Sequence, residues 1–229
     1  MPFYYYFDPT MLIVLPALIF TLWAQFNVQS TYSKYSKVMT SQRLTGREAA
    51  RKILDANGLY DVRIEHISGQ LNDHYDPRNN VIRLSDAVYD SPSAAAVGVA
   101  AHEAGHAVQY AKGYGAIKLR QAIIPVTKFG SGAAMPLFLL GLIFALPMLM
   151  YVGIAFYGIA VLFQLITLPV EFNASKRAMV ALEGSGILSG KELDASRKVL
   201  TAAALTYVAA LASSLLSLLR LIVLANRRR

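Results

Sequence analysis

Three long stretches without a single charged residue limit the possible folds of this chain more than any other feature. They cover residues 9–33, 129–170 and 199–219. A helix needs about 20 apolar residues to cross a bilayer, so the outer stretches can supply one membrane span each and the middle stretch two. We place the turn between those two spans at residues 147–153, where proline and glycine occur. The sequence therefore predicts an integral membrane protein with about four membrane helices.

The composition agrees with this interpretation. Of the 229 residues, 55% are hydrophobic and only 16% are charged, and the mean hydropathy is +0.41. A net charge of +8 could by itself indicate a nucleic-acid partner, but here the basic residues are dispersed beside apolar stretches rather than aligned with stacking aromatics. Basic residues in such positions are typical of the cytoplasmic flanks of membrane spans. We therefore expect a lipid bilayer, and not a nucleic acid, as the partner of this surface.

The first apolar stretch is interpreted as an uncleaved membrane anchor. No basic residue precedes it and no small-residue cleavage site follows it, although a secretory signal peptide would have both. Tyr4, Tyr5, Tyr6 and Trp23 are candidates for interfacial aromatic residues. Four basic residues follow between positions 34 and 47, so the positive-inside rule places the N-terminus outside and the next segment in the cytoplasm.

The last apolar stretch conflicts with the same rule. A fourth complete span would place Arg220 and the basic tail at 227–229 outside the cell, so a re-entrant or interfacial course of this helix stays open. Thr206, Ser213, Ser217 and Arg220 fall on one stripe of it. Such a stripe is expected to face protein rather than lipid.

The strongest chemical signal is the pair His102 and His106, with Glu103 between them, in an alanine-rich apolar segment. We predict one helix there, with Ser91 as its N-cap and Pro92 in its first position. Histidines four residues apart lie on one helix face, so both imidazoles can reach the same ion. Glu103 projects from the adjoining flank, where it can take a proton from water on the metal. Because the chain has no cysteine, the ligands of a zinc ion must be histidine and carboxylate.

Two histidines make an incomplete catalytic zinc site, since a third protein ligand and an open position are expected. Glu171 is the carboxylate that stands apart, because it follows the third predicted membrane span, at the start of a helical pattern. A carboxylate in that place can equally be an interfacial helix cap. The residues alone leave both interpretations open.

The segment before the histidine helix predicts a small α+β unit. Thr45 and Glu48 form a capping box that opens a helix, which ends near Asn57. An alternating strand follows at 62–67, and a hairpin is predicted around the turn at 76–80. We hypothesise that a strand of this hairpin holds a peptide extended over the ion by β-addition.

Two residues of the hairpin have two possible roles. His74 and Tyr75 could donate a hydrogen bond to the oxyanion of a tetrahedral intermediate. They could also be ordinary turn and strand residues with local hydrogen bonds, and the sequence does not decide between these alternatives.

Three segments together resemble the YugP-type membrane zinc metallopeptidases, namely residues 73–77, 101–109 and 169–178. The resemblance covers nearly the whole chain and implies that Glu171 is the third zinc ligand. More distantly, the chain is similar to the HtpX and CAAX-prenyl-protease group, whose second motif has the form Glu-x-x-Ala-Asp. This sequence has Ser175 at the position of that aspartate. The aspartate would support a metal ligand, and whether Ser175 does so is left open by the sequence.

The expected fold is mainly α-helical and membrane-embedded, with a small zincin-like, gluzincin-type α+β soluble part. The expected domains are the N-terminal anchor at 1–33, the zincin-like block with the histidine helix at 34–128, the transmembrane hairpin at 129–170, the third-ligand helix and loop at 171–198, and the C-terminal membrane helix with its basic tail at 199–229.

The expected function is that of a zinc-dependent endopeptidase of the plasma membrane, with zinc held by His102, His106 and Glu171 and its active site facing the cytoplasm. Peptides or membrane proteins are the expected substrates, which suggests membrane protein quality control. The alternative is a non-catalytic zinc protein that acts as an adaptor, and a homo-oligomer or scaffold partner is left open. A transporter is disfavoured because the spans carry no charged residue.

Overall fold

The computed structural model describes residues 8–227 of the chain. Its elements follow in the order α1 (Met11–Tyr35), α2 (Gly46–Ala56), β1 (Arg63–Ile67), β2 (His74–Asp76), β3 (Val81–Ser85), α3 (Ala94–Ala111), α4 (Gly115–Ile143), α5 (Pro147–Gly184) and α6 (Gly190–Asn226). The predicted interfacial residues Tyr4, Tyr5 and Tyr6 and the last two arginines lie outside the described residues.

The helices α1, α4, α5 and α6 are long and apolar enough to cross a membrane. Together with the small sheet, they confirm the coarse prediction of a mainly helical chain with about four helices that could cross a membrane. The chain forms two compact units. One unit comprises Met1–Ala24, Leu119–Leu168 and Thr206–Arg229, and the other comprises Gln25–Lys118 and Pro169–Leu205.

In the first unit, the turn between α4 and α5 differs from the predicted position. It lies at residues 144–146, before the predicted range of 147–153. Pro147 begins α5, where a proline loses no hydrogen bond because the first helical N–H groups have no partner inside the helix. Gly153 lies inside α5, and a Cβ atom there would come within 2.7 Å of the carbonyl oxygen of Ala134. Pro147 and Gly153, which the sequence pattern predicts in a turn, therefore begin a helix and allow a close contact between helices.

The polar stripe of α6 is half-buried within the described residues of this unit. At its end, the Arg220 guanidinium lies 3.3 Å from the Asp8 carboxylate and 3.2 Å from the Thr10 hydroxyl. A carboxylate partner lowers the cost of placing an arginine at the end of an apolar helix.

In the second unit, α2 begins as the sequence predicts. The Thr45 side chain accepts a hydrogen bond from the Glu48 amide, while the Glu48 carboxylate accepts one from the Thr45 amide, so the capping box is complete. The helix ends at Asn57 as its C-cap. Its apolar face is buried against α3, which fixes one side of the histidine helix.

The three strands form one sheet in the order β1-β3-β2. β1 runs parallel to β3, and β2 pairs with β3 in the antiparallel hairpin that the sequence predicts. β2 is therefore an edge strand, and one side of its backbone is available to groups outside the sheet.

The histidine helix α3 begins two residues later than predicted. Its N-cap is Ser93, whose side chain accepts a hydrogen bond from the Ala96 amide. Pro92 lies before the helix, where its carbonyl accepts from the Thr40 amide. Ser93 also forms a β-bridge with Met39, and this extended pairing holds the chain out of the helix until Ala94.

Close approach between α3 and α5 depends on Gly105. A Cβ atom at this position would lie 2.7 Å from the carbonyl oxygen of Ala174, a backbone atom of α5. Because the obstacle is backbone, a rotamer change cannot relieve the overlap, and the two helices must move apart. Gly105 therefore sets the distance between the helix that carries the histidines and the helix that carries Glu171.

We expect Gly105→Ala to destabilise the protein by about 1–3 kcal/mol, the usual cost of overpacking a close contact. Thermal unfolding of the detergent-solubilised protein measures this. Gly184→Ala is the matched control, because its added Cβ meets no such neighbour within 4 Å in the described part of the chain. Equal midpoints for the two variants would contradict the proposed role of Gly105.

Candidate metal centre

The helix α3 places its two histidines on one face. The ring centroids of His102 and His106 are 4.7 Å apart, and the ring planes cross at 85°. His106 is buried and His102 is half-buried. This is the arrangement expected for side chains one helical turn apart.

The helix α5 brings a third group to the same point. The Oε2 atom of Glu171 lies 3.3 Å from Nε2 of His102 and 3.4 Å from Nε2 of His106. Each of the three residues offers a ligand atom within 4.8 Å of the other two. The side chain of Glu171 is only 2% exposed, so its carboxylate is removed from water and needs a positive charge or strong hydrogen bonds beside it.

This donor set fits a zinc ion. Atoms bound about 2.0–2.1 Å from one tetrahedral ion lie roughly 3.3–3.4 Å from each other, and the two measured nitrogen–oxygen distances are 3.3 and 3.4 Å. Two imidazoles and one carboxylate are also a known ligand set of catalytic zinc sites, in which the fourth position stays open. The three residues that the sequence predicts as metal ligands are thus brought together.

Both histidines also have a partner at the ring nitrogen that faces away from Glu171. Nδ1 of His102 lies 3.1 Å from the Ser175 hydroxyl, and Nδ1 of His106 lies 3.0 Å from Oε1 of Gln109. Such partners fix the orientation of a ligating imidazole and support its basicity. Ser175 therefore contacts His102 in this structure, although it is not an aspartate.

Glu103 occupies the flank of α3 beside this cluster and contacts the sheet. It is buried, and its Oε2 atom accepts a hydrogen bond of 2.9 Å from the backbone amide of Tyr75 in the edge strand β2. One carboxylate oxygen is thereby held in place by a backbone group.

Burial and charge act in opposite directions on His106. Burial would lower the pKa of its imidazole, but the hydrogen bond to Glu171 and the negative charge of Glu103 raise that pKa above the ordinary value. The centre therefore attracts positive charge, whether a proton or a metal cation.

The half-buried carboxylate of Asp73 supports the edge strand. Asp73 accepts hydrogen bonds from the amide and the hydroxyl of Ser85, at 2.7 and 3.0 Å, and so ties the approach to β2 to the end of β3. Burial raises the pKa of the Asp73 carboxyl above its ordinary value, and the charge of Glu103 acts in the same direction.

The two residues considered as oxyanion donors are engaged elsewhere. His74 is exposed, and its Nδ1 atom lies 2.9 Å from the Asn72 carbonyl oxygen. The Tyr75 hydroxyl donates to Oδ1 of Asn80 at 3.0 Å, and burial raises the pKa of Tyr75 to about 12. Tyr75 thus meets Glu103 through its amide and not through its hydroxyl.

The residues that the sequence-based interpretation missed are Gln109 and Asn173. Gln109 is 0% exposed and donates to Oδ1 of Asn173 at 3.0 Å. The available signal was a lone amide side chain three residues after His106 in an apolar helix, because buried polar groups need partners.

Sequence comparison shows the family to which a chain with this candidate metal centre belongs. The profile of the family described as "Putative neutral zinc metallopeptidase" matches residues 10–226. The chain belongs to this family, as its resemblance to the YugP type predicts.

A curated relative carries the more particular name. The chain is 50% identical over 212 residues to the "Putative membrane protease YugP" of Bacillus subtilis (strain 168), covering 93% of this chain and 94% of the relative. No solved structure matches the chain at a significant level.

The contact of Ser175 with His102 gives a prediction about metal affinity. We expect Ser175→Ala to weaken zinc binding by about tenfold, the lower end of the usual effect of removing a ligand's partner. Ser175→Asp should bind zinc at least as tightly as the wild type, because a carboxylate is a stronger acceptor for an imidazole N–H. Competition with a chromophoric chelator measures both.

Ser189→Ala is the matched control, since Ser189 is exposed in the loop between α5 and α6. Unchanged zinc affinity in Ser175→Ala would show that this hydroxyl does not support the metal centre.

Proposed function

We propose that this protein is a membrane-embedded, zinc-dependent endopeptidase. The observation that carries the proposal is the meeting of Glu171, 2% exposed, with both histidine Nε2 atoms at 3.3 and 3.4 Å. A carboxylate buried in this way needs a cation, and zinc is the cation that two imidazoles and a carboxylate suit. The family to which the chain belongs and the name of its membrane-protease relative support the same function.

In this proposal His102, His106 and Glu171 hold the zinc ion. Bound zinc acts as a Lewis acid that polarises a substrate carbonyl and lowers the pKa of a water ligand. Glu103 is the general base, held by the Tyr75 amide at 2.9 Å. It accepts a proton as the water oxygen attacks the carbonyl carbon, and it delivers that proton to the amine nitrogen as the C–N bond breaks.

The second unit, Gln25–Lys118 with Pro169–Leu205, fits a gluzincin-type arrangement, which we include in the proposal. Its parts are a small sheet with the edge strand β2, a helix with the paired histidines, and a glutamate ligand from a later helix. The edge strand contacts the general base through Tyr75. Its proposed second role is to bind an extended peptide by β-addition.

The proposed orientation follows from the sequence. The positive-inside rule places the segment after the first span in the cytoplasm, and Glu171 follows the third predicted span on helix α5, which returns the chain to the same side. Peptides or membrane proteins that reach the cytoplasmic face of the plasma membrane are therefore the proposed substrates. A role in membrane protein quality control would follow from this choice of substrate.

Two isosteric variants test the assigned chemistry. Glu103→Gln removes the general base, so we expect kcat on an unfolded membrane protein to fall by about 10²–10⁴-fold while zinc content stays near wild type. Glu171→Gln removes a ligand charge, so we expect zinc itself to be lost under mild chelation. Metal analysis and a cleavage assay on the same preparations separate the two effects.

Retained cleavage by Glu103→Gln would refute the role of Glu103. Zinc binding without any cleavage in the wild type would instead favour the adaptor function.

The two groups of Tyr75 can be tested separately. Tyr75→Phe removes the hydroxyl, and we expect kcat to change little, whereas loss of an oxyanion donor would cost about 10²–10³-fold. Tyr75→Pro removes the amide that donates to Glu103 and the phenol ring, and an edge strand tolerates proline where the N–H faces away from the sheet. Tyr75→Ala lacks the ring but keeps the amide, and it is the matched control. We expect Tyr75→Pro to lose more kcat than Tyr75→Ala and to keep its zinc.

A large loss of kcat in Tyr75→Phe would restore the hydroxyl as a catalytic donor. Far-ultraviolet circular dichroism and zinc content serve as controls for correct folding of all three variants.

A further inference from the structure

Gln109 is a fully buried amide that links the histidine helix to α5. Its Nε2 atom donates to the carbonyl oxygen of Val170 at 2.8 Å and to Oδ1 of Asn173 at 3.0 Å, and its Oε1 atom lies 3.0 Å from Nδ1 of His106. All the polar atoms of this side chain have a partner, although it is 0% exposed. Buried polar groups with this degree of satisfaction specify one arrangement of their surroundings.

The groups at the two ends of this network, the Arg177 guanidinium and the Val170 carbonyl, determine which atom donates in each of its hydrogen bonds. A guanidinium can only donate, and Nε of Arg177 donates to Oδ1 of Asn173 at 2.7 Å. A backbone carbonyl can only accept, so the Gln109 amide group must face Val170. The Oε1 atom of Gln109 therefore faces His106, and the bond between them requires a proton on Nδ1 of His106.

We propose that Gln109, held by Asn173, Arg177 and the Val170 carbonyl, is a positioning residue that fixes His106 as its Nδ1–H tautomer. In this tautomer the lone pair of Nε2 points to the side where Glu171 lies 3.4 Å away. The histidine is thus ready to bind a cation before the cation arrives. The proposal rests on the metal centre of the proposed function and adds the device that presets one of its ligands.

The same amide also couples the two helices that carry the ligands. Val170 directly precedes Glu171 on α5, and the Gln109 side chain connects its carbonyl to His106 on α3. A shift of α5 that would move Glu171 away from the histidines would also break the bond to Val170. One side chain therefore fixes both the tautomer of a ligand and its distance from another ligand.

Among the described residues, no amide side chain holds His102 in the way that Gln109 holds His106. The group beside its Nδ1 atom is the Ser175 hydroxyl at 3.1 Å, and a hydroxyl can donate or accept. The contact with Ser175 is therefore compatible with either neutral tautomer of His102. The two ligating histidines differ, and the proposal predicts preset behaviour for His106 alone.

Nitrogen-15 NMR of histidine-labelled, metal-free wild type tests the tautomer directly. At a pH above the pKa of His106, where the pH dependence of the same signals shows its imidazole to be neutral, we expect a protonated Nδ1 and an unprotonated Nε2. The spectrum of His106→Gln assigns the signals by loss. A neutral His106 that carries its proton on Nε2 would overturn the proposal, and this measurement needs no variant of Gln109.

Gln109→Met tests the consequence for metal binding, because it keeps the length of the side chain and removes its hydrogen bonds. We expect zinc affinity, measured by chelator competition, to fall by about 10–100-fold and the absorption spectrum of the cobalt(II)-substituted protein to change. Wild-type affinity with an unchanged cobalt spectrum would overturn the proposal.

Ser196→Ala is the matched control. The Ser196 hydroxyl of α6 is also buried and donates to the Ala94 carbonyl of α3, the helix that carries Gln109. It does not touch the metal centre. We expect this variant to bind zinc like the wild type even if its thermal midpoint falls. An equal loss of affinity in both variants would assign the effect of Gln109 to general stability and overturn the proposal.

The failure of the proposed function would look different. A wild type that binds no zinc would remove the metal centre itself, whereas the tautomer of His106 in the metal-free protein would still be measurable. Zinc binding by the wild type with no sensitivity to Gln109 would leave the proposed function intact and refute the positioning role.

Discussion

The interaction on which the site depends is the burial of one carboxylate, that of Glu171, between two imidazoles from another helix. An ionised carboxylate removed from water is costly unless cations or hydrogen-bond donors surround it. Here the compensation comes from His102 and His106 of α3. The polar groups at this point have partners across the two helices, so the contact between the helices and the proposed metal site depend on the same three side chains.

This convergence requires the backbones of α3 and α5 to come unusually close. Gly105 provides the space, because a Cβ atom would meet the carbonyl of Ala174 at 2.7 Å. A glycine inside a helix costs roughly 0.5–1 kcal/mol relative to alanine, so its position between the two histidines needs a reason. The reason is geometric, since the approach of α5 brings Glu171 and Ser175 within reach of His102.

Local patterns in the sequence were sufficient for some parts of the fold and the site. The capping box at Thr45 and the shared face of His102 and His106 depend on residues within one or two helical turns, so their spacing determines them. Glu171 is 69 residues from His102, and only the family resemblance selected it from the alternatives. A long-range pairing of this kind leaves no periodic signal in a single chain.

Other parts depended on backbone groups, which carry no sequence signature. The amide of Tyr75 donates to Glu103, whereas the sequence drew attention to the hydroxyl of that residue. The start of α3 was misplaced for a related reason. A β-bridge between Met39 and Ser93 keeps the chain extended, so the serine closer to the helix became the cap.

The two glutamates of the site show how environment separates the proposed roles of identical side chains. Both are buried, at 7% exposure for Glu103 and 2% for Glu171. Glu171 faces two imidazoles, which suits its proposed role as a metal ligand, because its charge would meet a cation that all three side chains could bind. Glu103 instead accepts one backbone hydrogen bond through a single oxygen, and a carboxylate has further lone pairs with which to take up and release a proton. The difference is set by partners from two separate elements, α5 and β2, and it would disappear if either moved. The edge strand and the long helix are therefore as much a part of the proposed chemistry as the helix that carries the motif.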